Sequence, residues 1–171
     1  MRVVDLFCGI GGFSEGARAA GHEVVLAVDA DSKALDVHAK NHPKSTHVCM
    51  TLPPSGAAVL PLPRSGRWHL HASPPCQKVS QANRQVTLQQ RDNALALIRW
   101  FLELVATAKP TSWSFEQVPT PAVKNLLEEY VQRKPALYAY TVVNCADHGV
   151  PQDRRRLIAA SPVLLDRILK T

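Results

Sequence analysis

The sequence lacks the features that mark membrane, secreted and zinc-binding proteins. No apolar run approaches the roughly 18 residues that a membrane-spanning helix needs, and the opening residues, MRVVD, begin no secretory signal. The four cysteines stand at positions 8, 49, 76 and 145, so there is no Cys-x-x-Cys pair, and no histidine pair has a third ligand at a recognisable spacing. We therefore expect a cytoplasmic protein with no disulfide framework and no metal site.

The chain has instead an ordinary globular composition and an excess of basic residues. Apolar residues make up 46% and charged residues 20% of the sequence, values that are typical of folded domains. The 171 residues correspond to one domain, which buries about 70% of its unfolded surface. Lys and Arg number 20 against 14 acids, a net charge of +6, and this excess weakly favours a polyanionic partner such as nucleic acid.

The first forty residues alternate strand and helix signals. The apolar pattern predicts strands at 3–7 and 23–28 and helices at 13–20 and 32–40. Gly21 ends the first helix in the position that a left-handed residue favours, and Asp31 or Ser32 caps the second. Strand, glycine loop, helix and strand in this order predict an α/β fold with a parallel sheet.

The rest of the chain continues the same kind of pattern. It predicts strands at 68–72, 111–115, 138–145 and 156–160 and helices at 91–109, 121–132 and 163–169. Residues 50–67, which are rich in proline, are interpreted as an irregular connection, and 77–90 as a long loop. Neither an internal repeat nor a linker interrupts the sequence, so a single domain over 1–171 is expected.

The glycine loop after the first strand is the first candidate for a functional site. Gly9, Gly11 and Gly12 would let the backbone approach a ligand and point helix N–H groups at it. Asp29 ends the second strand, where an acid accepts hydrogen bonds from ribose hydroxyls. The loop matches neither G-x-G-x-x-G nor the Walker A sequence. By itself it is as consistent with an ordinary β-α turn as with a nucleoside cofactor.

Cys76 is the second candidate, because it follows two prolines at the end of a predicted strand. Open α/β sheets place their active sites at this edge, and prolines fix the backbone that aims a nucleophile. Only about 3% of a cysteine with an ordinary pKa is thiolate at pH 7, so a nearby positive charge should help. The alternative is a buried, inert cysteine, which is how Cys8, Cys49 and Cys145 are interpreted.

Two further candidates lie later in the chain. Glu116 ends an apolar strand, where a desolvated carboxyl could deliver a proton, or where an acid could simply form a salt bridge. If 152–156 is a strand, Gln152, Arg154 and Arg156 share one face, and two guanidinium groups there suit phosphates or a base carbonyl. The alternative is an exposed basic edge strand that resists aggregation.

Taken together and in this order, these segments resemble the motifs of the cytosine-C5 DNA methyltransferase family. The segment 5–13 (DLFCGIGGF) is similar to its cofactor motif, and 73–77 (SPPCQ) to its Pro-Cys-Gln nucleophile motif. The segment 115–119 (FEQVP) is similar to its Glu-Asn-Val motif, and 147–156 to its Gln-x-Arg-x-Arg motif. The resemblance runs from residue 2 to about residue 161, which is the catalytic region of the family.

The resemblance implies a Rossmann-like fold that uses S-adenosylmethionine, with a mostly parallel sheet and an antiparallel late strand. Phe7 would stack on the cofactor, Gly9, Ile10 and Gly12 would line its methionine end, and Asp29 would hold the ribose. The positions that match the family's cofactor-binding residues are Phe7, Gly9, Ile10, Gly12, Asp29, Ala30, Pro75 and Leu95.

The resemblance also implies a covalent mechanism on DNA. Cys76 would attack C6 of a cytosine flipped out of the helix, Glu116 would stabilise the protonated N3, and Arg154 and Arg156 would complete the catalytic set. C5 of cytosine is too weak a nucleophile without such an adduct, and the base must leave the duplex to reach a pocket. The residues expected to contact nucleic acid are Gln77, Lys78, Ser80, Arg84, Gln152 and Arg155.

The sequence departs from the family at several positions. Gln117 replaces the family's Asn, the segment 47–51 lacks the acid that reads adenine, and Ala30 replaces a large residue. These changes predict weaker cofactor binding. Only residues 162–171 follow the resemblance, so the target-recognition region and the closing motifs are expected to be absent and to come from a second subunit or a homodimer.

Three functions stay open from the sequence. The first is a DNA cytosine-C5 methyltransferase of a restriction-modification system, bacterial or of phage origin, which would be nucleoid-associated when bound to DNA. The second is a tRNA cytosine-C5 methyltransferase, because one branch of the same family acts on RNA. The third is a catalytically degenerate subunit that binds nucleic acid or supports a partner enzyme.

Overall fold

The chain folds around one seven-stranded sheet. A computed structural model describes residues 1–55, 59–75 and 87–170. The strands are β1 (Arg2–Leu6), β2 (Glu23–Asp29), β3 (Thr46–Cys49), β4 (Trp68–Ala72), β5 (Ser112–Gln117), β6 (Ala139–Asn144) and β7 (Arg155–Ala160). The helices are α1 (Gly12–Ala19), α2 (Ser32–Asn41), α3 (Leu88–Ala108), α4 (Pro121–Arg133) and α5 (Pro162–Ile168), with a short 3₁₀ helix at Cys145–His148.

The strand order is β3-β2-β1-β4-β5-β7-β6. All neighbouring strands run parallel except at β7, which is antiparallel to both β5 and β6. The prediction of a mostly parallel sheet with an antiparallel late strand is therefore confirmed. The order reverses between β1 and β4, and ligands of open α/β sheets bind at such a switch point, beyond the carboxyl ends of the strands.

The two faces of the sheet are covered by different elements, as the alternation along β4 shows. Trp68, Leu70 and Ala72 belong to the main core, which α3 and α4 complete with side chains such as Phe101 and Leu126. The intervening histidines of β4 point to the other face, where the Phe13 ring of α1 stacks on one of them. The main core is therefore built on one face, and the polar histidines lie on the other.

Local signals explain most of the element boundaries. The Asp31 carboxylate caps α2 by accepting from the amides of Lys33 and Ala34, as predicted. A capping box between Thr87 and Gln90 begins α3 at Leu88. The predicted loop at 77–90 is therefore wrong for its last residues, and its part from 77 to 86 lies outside the described residues.

No helix in the described part of the chain is long and apolar enough to cross a membrane.

Candidate active site

The glycine loop leaves β1 through a left-handed backbone. Phe7 has φ 58° and Gly9 has φ 52°; a positive φ is uncommon for a bulky residue, and residues with such strained backbone cluster at functional sites. Gly11 has φ 101°, and an added Cβ there would lie 3.0 Å from the His38 ring and 3.2 Å from the His42 ring. The loop therefore needs glycine for its conformation and, at Gly11, also for space.

Asp29 ties this loop to the tip of β2. Its Oδ2 accepts from the Gly9 amide at 2.8 Å, and its Oδ1 accepts from the Asp31 amide at 2.9 Å. Each carboxylate oxygen keeps a second lone pair, so the side chain can still accept from a ligand hydroxyl. The sequence predicts Asp29 as a ribose ligand, and the structure adds that its orientation is fixed by main-chain donors.

A cavity of about 360 Å³ opens beside this acid. It is lined by Phe7, Asp29, Ala30, Met50, Thr51, Leu52, Ser73, Pro75 and Leu97. Four residues predicted from the sequence, Phe7, Asp29, Ala30 and Pro75, thus meet in one cavity. Its volume falls within the range of small-molecule sites, roughly 300–1,000 Å³.

Three other predicted cofactor residues lie elsewhere. Ile10 is 65% exposed and lines, with Gly12, a neighbouring cavity between α1 and α2. Leu95 packs against the main core, whereas Leu97 lines the 360 Å³ cavity. Since residues two apart on a helix point about 200° apart, Leu95 and Leu97 cannot face the same cavity.

A buried chain of polar side chains lies beneath the glycine loop. Ser14 Oγ donates to Asp5 Oδ2 at 2.7 Å and lies 3.0 Å from His38 Nε2, and His38 Nδ1 lies 2.9 Å from His47 Nε2. Asp5 Oδ1 has no hydrogen-bond partner within the described part of the chain. Burial raises the pKa of Asp5 to about 7, against the lowering effect of the Ser14 hydrogen bond.

Burial lowers the pKa of His38 to about 4, and the charges of His42 and His47 add to the effect. Burial, with Asp5 and Asp29 nearby, also raises the pKa of Cys8 above its ordinary value. Cys8 is buried, as interpreted from the sequence, whereas Cys49 is exposed and Cys145 half-buried. Among residues 1–55, 59–75 and 87–170, no group of three or more His, Cys, Asp or Glu could hold a metal ion.

Gln117 connects β5 to the segment that precedes Cys76. Its side chain is 1% exposed; Nε2 donates to the Pro74 carbonyl at 3.0 Å, and Oε1 accepts from the Val118 amide at 2.9 Å. The Ser73 amide also donates to the Leu6 carbonyl at 3.3 Å. The backbone that leads to Cys76 is therefore held by β1 and β5.

Glu116 and Arg156 form an ion pair at the same edge of the sheet. Arg156 Nε lies 2.6 Å from Glu116 Oε1, with side-chain exposures of 17% and 30%. Glu116 lies within β5 rather than at its end, and β7 runs antiparallel to β5, which brings the first residues of β7 to this edge. The predicted acid is thus only partly desolvated, and it is paired with the predicted arginine.

The other basic residues of this region are exposed and precede or begin β7. Because β7 begins at Arg155, residues 152–154 are not part of a strand, so the condition under which Gln152, Arg154 and Arg156 were predicted to share one face is not met. Asn144 Oδ1 instead accepts from the Arg154 amide at 2.9 Å, and its Nδ2 donates to Asp153 at 2.9 Å. The segment is therefore shaped by Asn144.

Arg154 and Glu116 line a second cavity of about 430 Å³. On its far side the Phe13 ring stacks on His71 at a centroid distance of 3.5 Å, and both of these residues also line the cavity. The second cavity therefore opens on the face of the sheet opposite the main core.

Five predicted residues fall outside the described part of the chain. They are Cys76, Gln77, Lys78, Ser80 and Arg84. Their positions relative to the site stay predictions.

Sequence reasoning missed the residues that hold the site together. Gln117 stood out only as a departure from a motif, and Asn144 and Ser14 were not singled out. A polar residue inside a buried strand or in the first turn of a helix, as at Gln117 and Ser14, was the available signal, because buried polar groups need partners.

Known proteins are similar to this chain over most of its length. The sequence profile of the family described as C-5 cytosine-specific DNA methylase matches residues 1–161. Type II methyltransferase M.XorII of Xanthomonas oryzae pv. oryzae is 32% identical over 167 residues, covering 91% of this chain and 39% of that protein. Type II methyltransferase M.AquIA of Picosynechococcus is 28% identical over 179 residues, covering 91% of this chain and 69% of that protein.

Solved structures show the same fold. A protein described as a prophage-encoded DNA modification methyltransferase of E. coli superimposes with a TM-score of 0.70 and 26% identity, over 97% of this chain and 48% of that one. The S. pombe Dnmt2 methyltransferase superimposes with a TM-score of 0.63 at 22% identity, over 94% of this chain and 50% of that one, which shows a shared fold. The chain spans 39% of the length of M.XorII and of M.DdeI. Because the family profile covers residues 1–161, the chain belongs to the C-5 cytosine-specific DNA methylase family.

Proposed function

We propose that this chain is a catalytic domain that transfers a methyl group from S-adenosylmethionine to C5 of cytosine in DNA. The observation that carries the proposal is the position of the Glu116–Arg156 ion pair at 2.6 Å. It lies at the sheet edge that also carries the cavity lined by Phe7, Asp29 and Pro75. Ser73 lines both this cavity and the second cavity, which Glu116 lines, so an acid for the base and a cavity for the cofactor are adjacent.

The residues around the first cavity fit the cofactor. The cavity is mostly apolar and has one oriented carboxylate, Asp29, which suits a nucleoside whose ribose hydroxyls need an acceptor. The left-handed backbone at Phe7 and Gly9 leaves the loop open for close approach of a ligand. When bound, S-adenosylmethionine supplies an electrophilic methyl group on a sulfonium.

The chemistry on the base would be carried by Cys76 and Glu116. The Cys76 thiolate adds to C6 of cytosine, the electron pair of the C5–C6 double bond moves to C5, and Glu116 holds a proton at N3. After the methyl group has been received at C5, a base removes the C5 proton. The electron pair then re-forms the double bond and expels the Cys76 thiolate.

Two residues would position this machinery without touching the base. Arg156 holds the Glu116 carboxyl through its Nε, and Gln117 holds the Pro74 carbonyl. The two contacts fix the Glu116 carboxyl and the backbone that precedes Cys76. Reacting groups must be placed within tenths of an ångström of the geometry that the reaction needs. We assign Arg156 and Gln117 as positioning residues on these contacts.

The DNA would approach the exposed segment before β7. Arg154 is exposed there, and Arg155 is exposed at the first position of β7. The chain carries a net charge of +6, which favours phosphate contacts. Sequence reading needs side chains that reach base edges from an element in a groove. In the described part of the chain, the segment beside these arginines consists of the 3₁₀ helix Cys145–His148 and residues 149–154, which is short for an element that enters a groove. We propose that recognition comes from a second subunit or from a second copy of this chain.

Trapping of the covalent adduct tests the proposal. DNA that carries 5-fluorocytosine is incubated with S-adenosylmethionine and a high concentration of protein at low salt. It should form an adduct that survives denaturation. The step that normally removes the C5 proton cannot remove fluorine, so the cysteine is not released. Cys145→Ala is the matched control and should form the adduct as the unmodified chain does, whereas Cys76→Ala should form none. An adduct with Cys76→Ala would contradict the proposed nucleophile.

A further inference from the structure

The first cavity has few polar side chains. Apart from Asp29, Thr51 and Ser73, its lining residues are Phe7, Ala30, Met50, Leu52, Pro75 and Leu97. Asp29 pairs in register with Cys49, so Met50 comes one residue beyond the partner of the acid. A ribose held at Asp29 would therefore direct its base toward Met50 and Ala30.

The polar groups near Met50 and Ala30 already have hydrogen-bond partners. The Met50 amide donates to the Asp29 carbonyl at 2.9 Å, and the Cys49 thiol lies 3.6 Å from the Ala30 carbonyl. The Asp29 carboxylate accepts two main-chain amides. Ser73 Oγ donates to the Phe7 carbonyl at 3.4 Å.

Among the described lining residues, the Thr51 hydroxyl is the side-chain group left for the edge of a base. A hydroxyl both donates and accepts hydrogen bonds. It therefore does not distinguish a purine with a 6-amino group from one that lacks this group or carries another polar group. A carboxylate would make that distinction, because it only accepts. No carboxylate other than that of Asp29 belongs to the described lining.

We propose that this cavity recognises the purine of its cofactor by shape and apolar contact without reading the 6-amino group, and that Met50 determines this tolerance. The inference rests on the proposed function, since it concerns the same cofactor. An apolar pocket discriminates weakly between ligands that differ by one small group, whereas a pocket built to hydrogen-bond that group rejects an analogue lacking it by orders of magnitude.

Calorimetry with three ligands tests the proposal. The ligands are S-adenosylhomocysteine, its analogue with hydrogen in place of the 6-amino group, and its N6-methyl analogue. The unmodified chain should bind all three with dissociation constants within about threefold of one another. M50D should bind the amino compound at least about tenfold more tightly than the analogue without the amine, because a carboxylate then accepts from it. M50L, which keeps an apolar side chain, should behave as the unmodified chain.

Each outcome bears on the inference separately from the proposed function. A preference of tenfold or more for the amino compound in the unmodified chain would overturn the inference while leaving the cofactor in place. Equal binding of all three ligands by folded M50D would overturn the role of Met50. If M50D does not fold, judged by circular dichroism, the comparison of ligands on the unmodified chain still decides. No measurable binding of any of the three by the unmodified chain would contradict the proposed cofactor itself.

Discussion

The two halves of the proposed active site are held in different ways. On the proposed cofactor side, Asp29 accepts two main-chain amides and Phe7 keeps a left-handed backbone. On the base side, the ion pair between Glu116 and Arg156 is partly exposed to solvent, and the segment that follows the 3₁₀ helix is exposed. The cofactor side is thus fixed by the main chain, and the base side by side chains.

This difference indicates which half depends on a partner. Main-chain donors are held by the fold and need no ligand to orient them, so the cofactor side is preorganised. Exposed ion pairs contribute little by themselves because water competes for them. The base side should therefore reach its working geometry when DNA excludes water from it, and changes there should alter the reaction more than cofactor binding.

Among substitutions of described residues, the largest effect is expected from Glu116→Gln. Loss of the acid should lower the rate of methyl transfer by about 10²–10⁴-fold, the usual contribution of a general acid or base. Cofactor affinity should stay within about twofold, since the Asp29 side of the edge is untouched. Single-turnover kinetics and calorimetry on the same preparation measure both quantities.

Glu129→Gln is the control, because Glu129 is an exposed acid that pairs with Arg99 between α3 and α4. It should change neither quantity. A Glu116→Gln variant that loses cofactor binding as strongly as transfer would mean that the two halves are not separable.

Asp29→Ala should give the opposite result on the cofactor side. Removal of the carboxylate should weaken binding of S-adenosylmethionine by about 1–3 kcal/mol, the scale of hydrogen bonds to a charged group. Asp36→Ala removes an exposed acid from α2 and serves as the control. Unchanged affinity in Asp29→Ala, measured by calorimetry, would place the cofactor elsewhere.

The buried histidines make stability depend on pH. Burial, with a smaller effect of His22, lowers the pKa of His69 to about 4, and burial lowers the pKa of His71 well below its ordinary range. The unfolded chain binds these protons below about pH 6.5, so it binds more protons than the folded chain between pH 6.5 and 4. Their contribution to stability is therefore complete above pH 6.5 and is lost as the pH falls toward 4.

His69 should lower the free energy of unfolding by roughly 2 kcal/mol between pH 6.5 and pH 5, and His71 should act in the same direction. Asp5, with its pKa raised to about 7, acts in the opposite direction, because its contribution is present at low pH and is lost as the pH rises to 7. Urea unfolding at pH 5 to 7 should show a net loss on acidification. The slope of the free energy of unfolding against pH should fall by about one proton in His69→Gln. The control His148→Gln, at an exposed position, should leave this slope unchanged. An equal slope in His69→Gln would contradict the assignment.

The smallest effect is expected from Arg155→Ala on the base side. Loss of one phosphate contact should weaken DNA binding a few-fold, equally for all sequences, and should reduce the salt dependence by about one charge. Fluorescence anisotropy over a series of salt concentrations measures this. Lys33→Ala, a change in α2 at the other end of the sheet, should leave the salt dependence of DNA binding unchanged. A loss of binding by Arg155→Ala that is confined to one DNA sequence would show that Arg155 reads bases.

The fold could be predicted from the sequence because its signals are local. The strand at 68–72, the Asp31 cap and the Pro121 start of α4 each depend on neighbouring residues. The start of β7 was harder to predict from the sequence. The segment before β7 is shaped by Asn144, which accepts from the Arg154 amide and lies ten residues earlier in the chain.

The site could be predicted only in part for the same reason. The sequence pointed to Asp29 because it ends β2, and to Glu116 and Arg156 because each lies in a short motif next to a predicted strand. The contacts of Gln117 with the Pro74 carbonyl and of Ser14 with His38 join distant parts of the chain, and no local pattern encodes them. Leu95 and Leu97 differ only in which side of α3 they occupy, and the packing of the helix decides that.

Transfer of labelled methyl groups tests the central claim most directly. The purified chain, at high concentration and low salt with labelled S-adenosylmethionine, is offered cytosine-containing DNA and tRNA in parallel, and the products are hydrolysed and separated. The account predicts label in DNA, recovered as 5-methylcytosine, with none from Cys76→Ala. Label in tRNA alone, or no label in a chain shown to bind both cofactor and DNA, would contradict it.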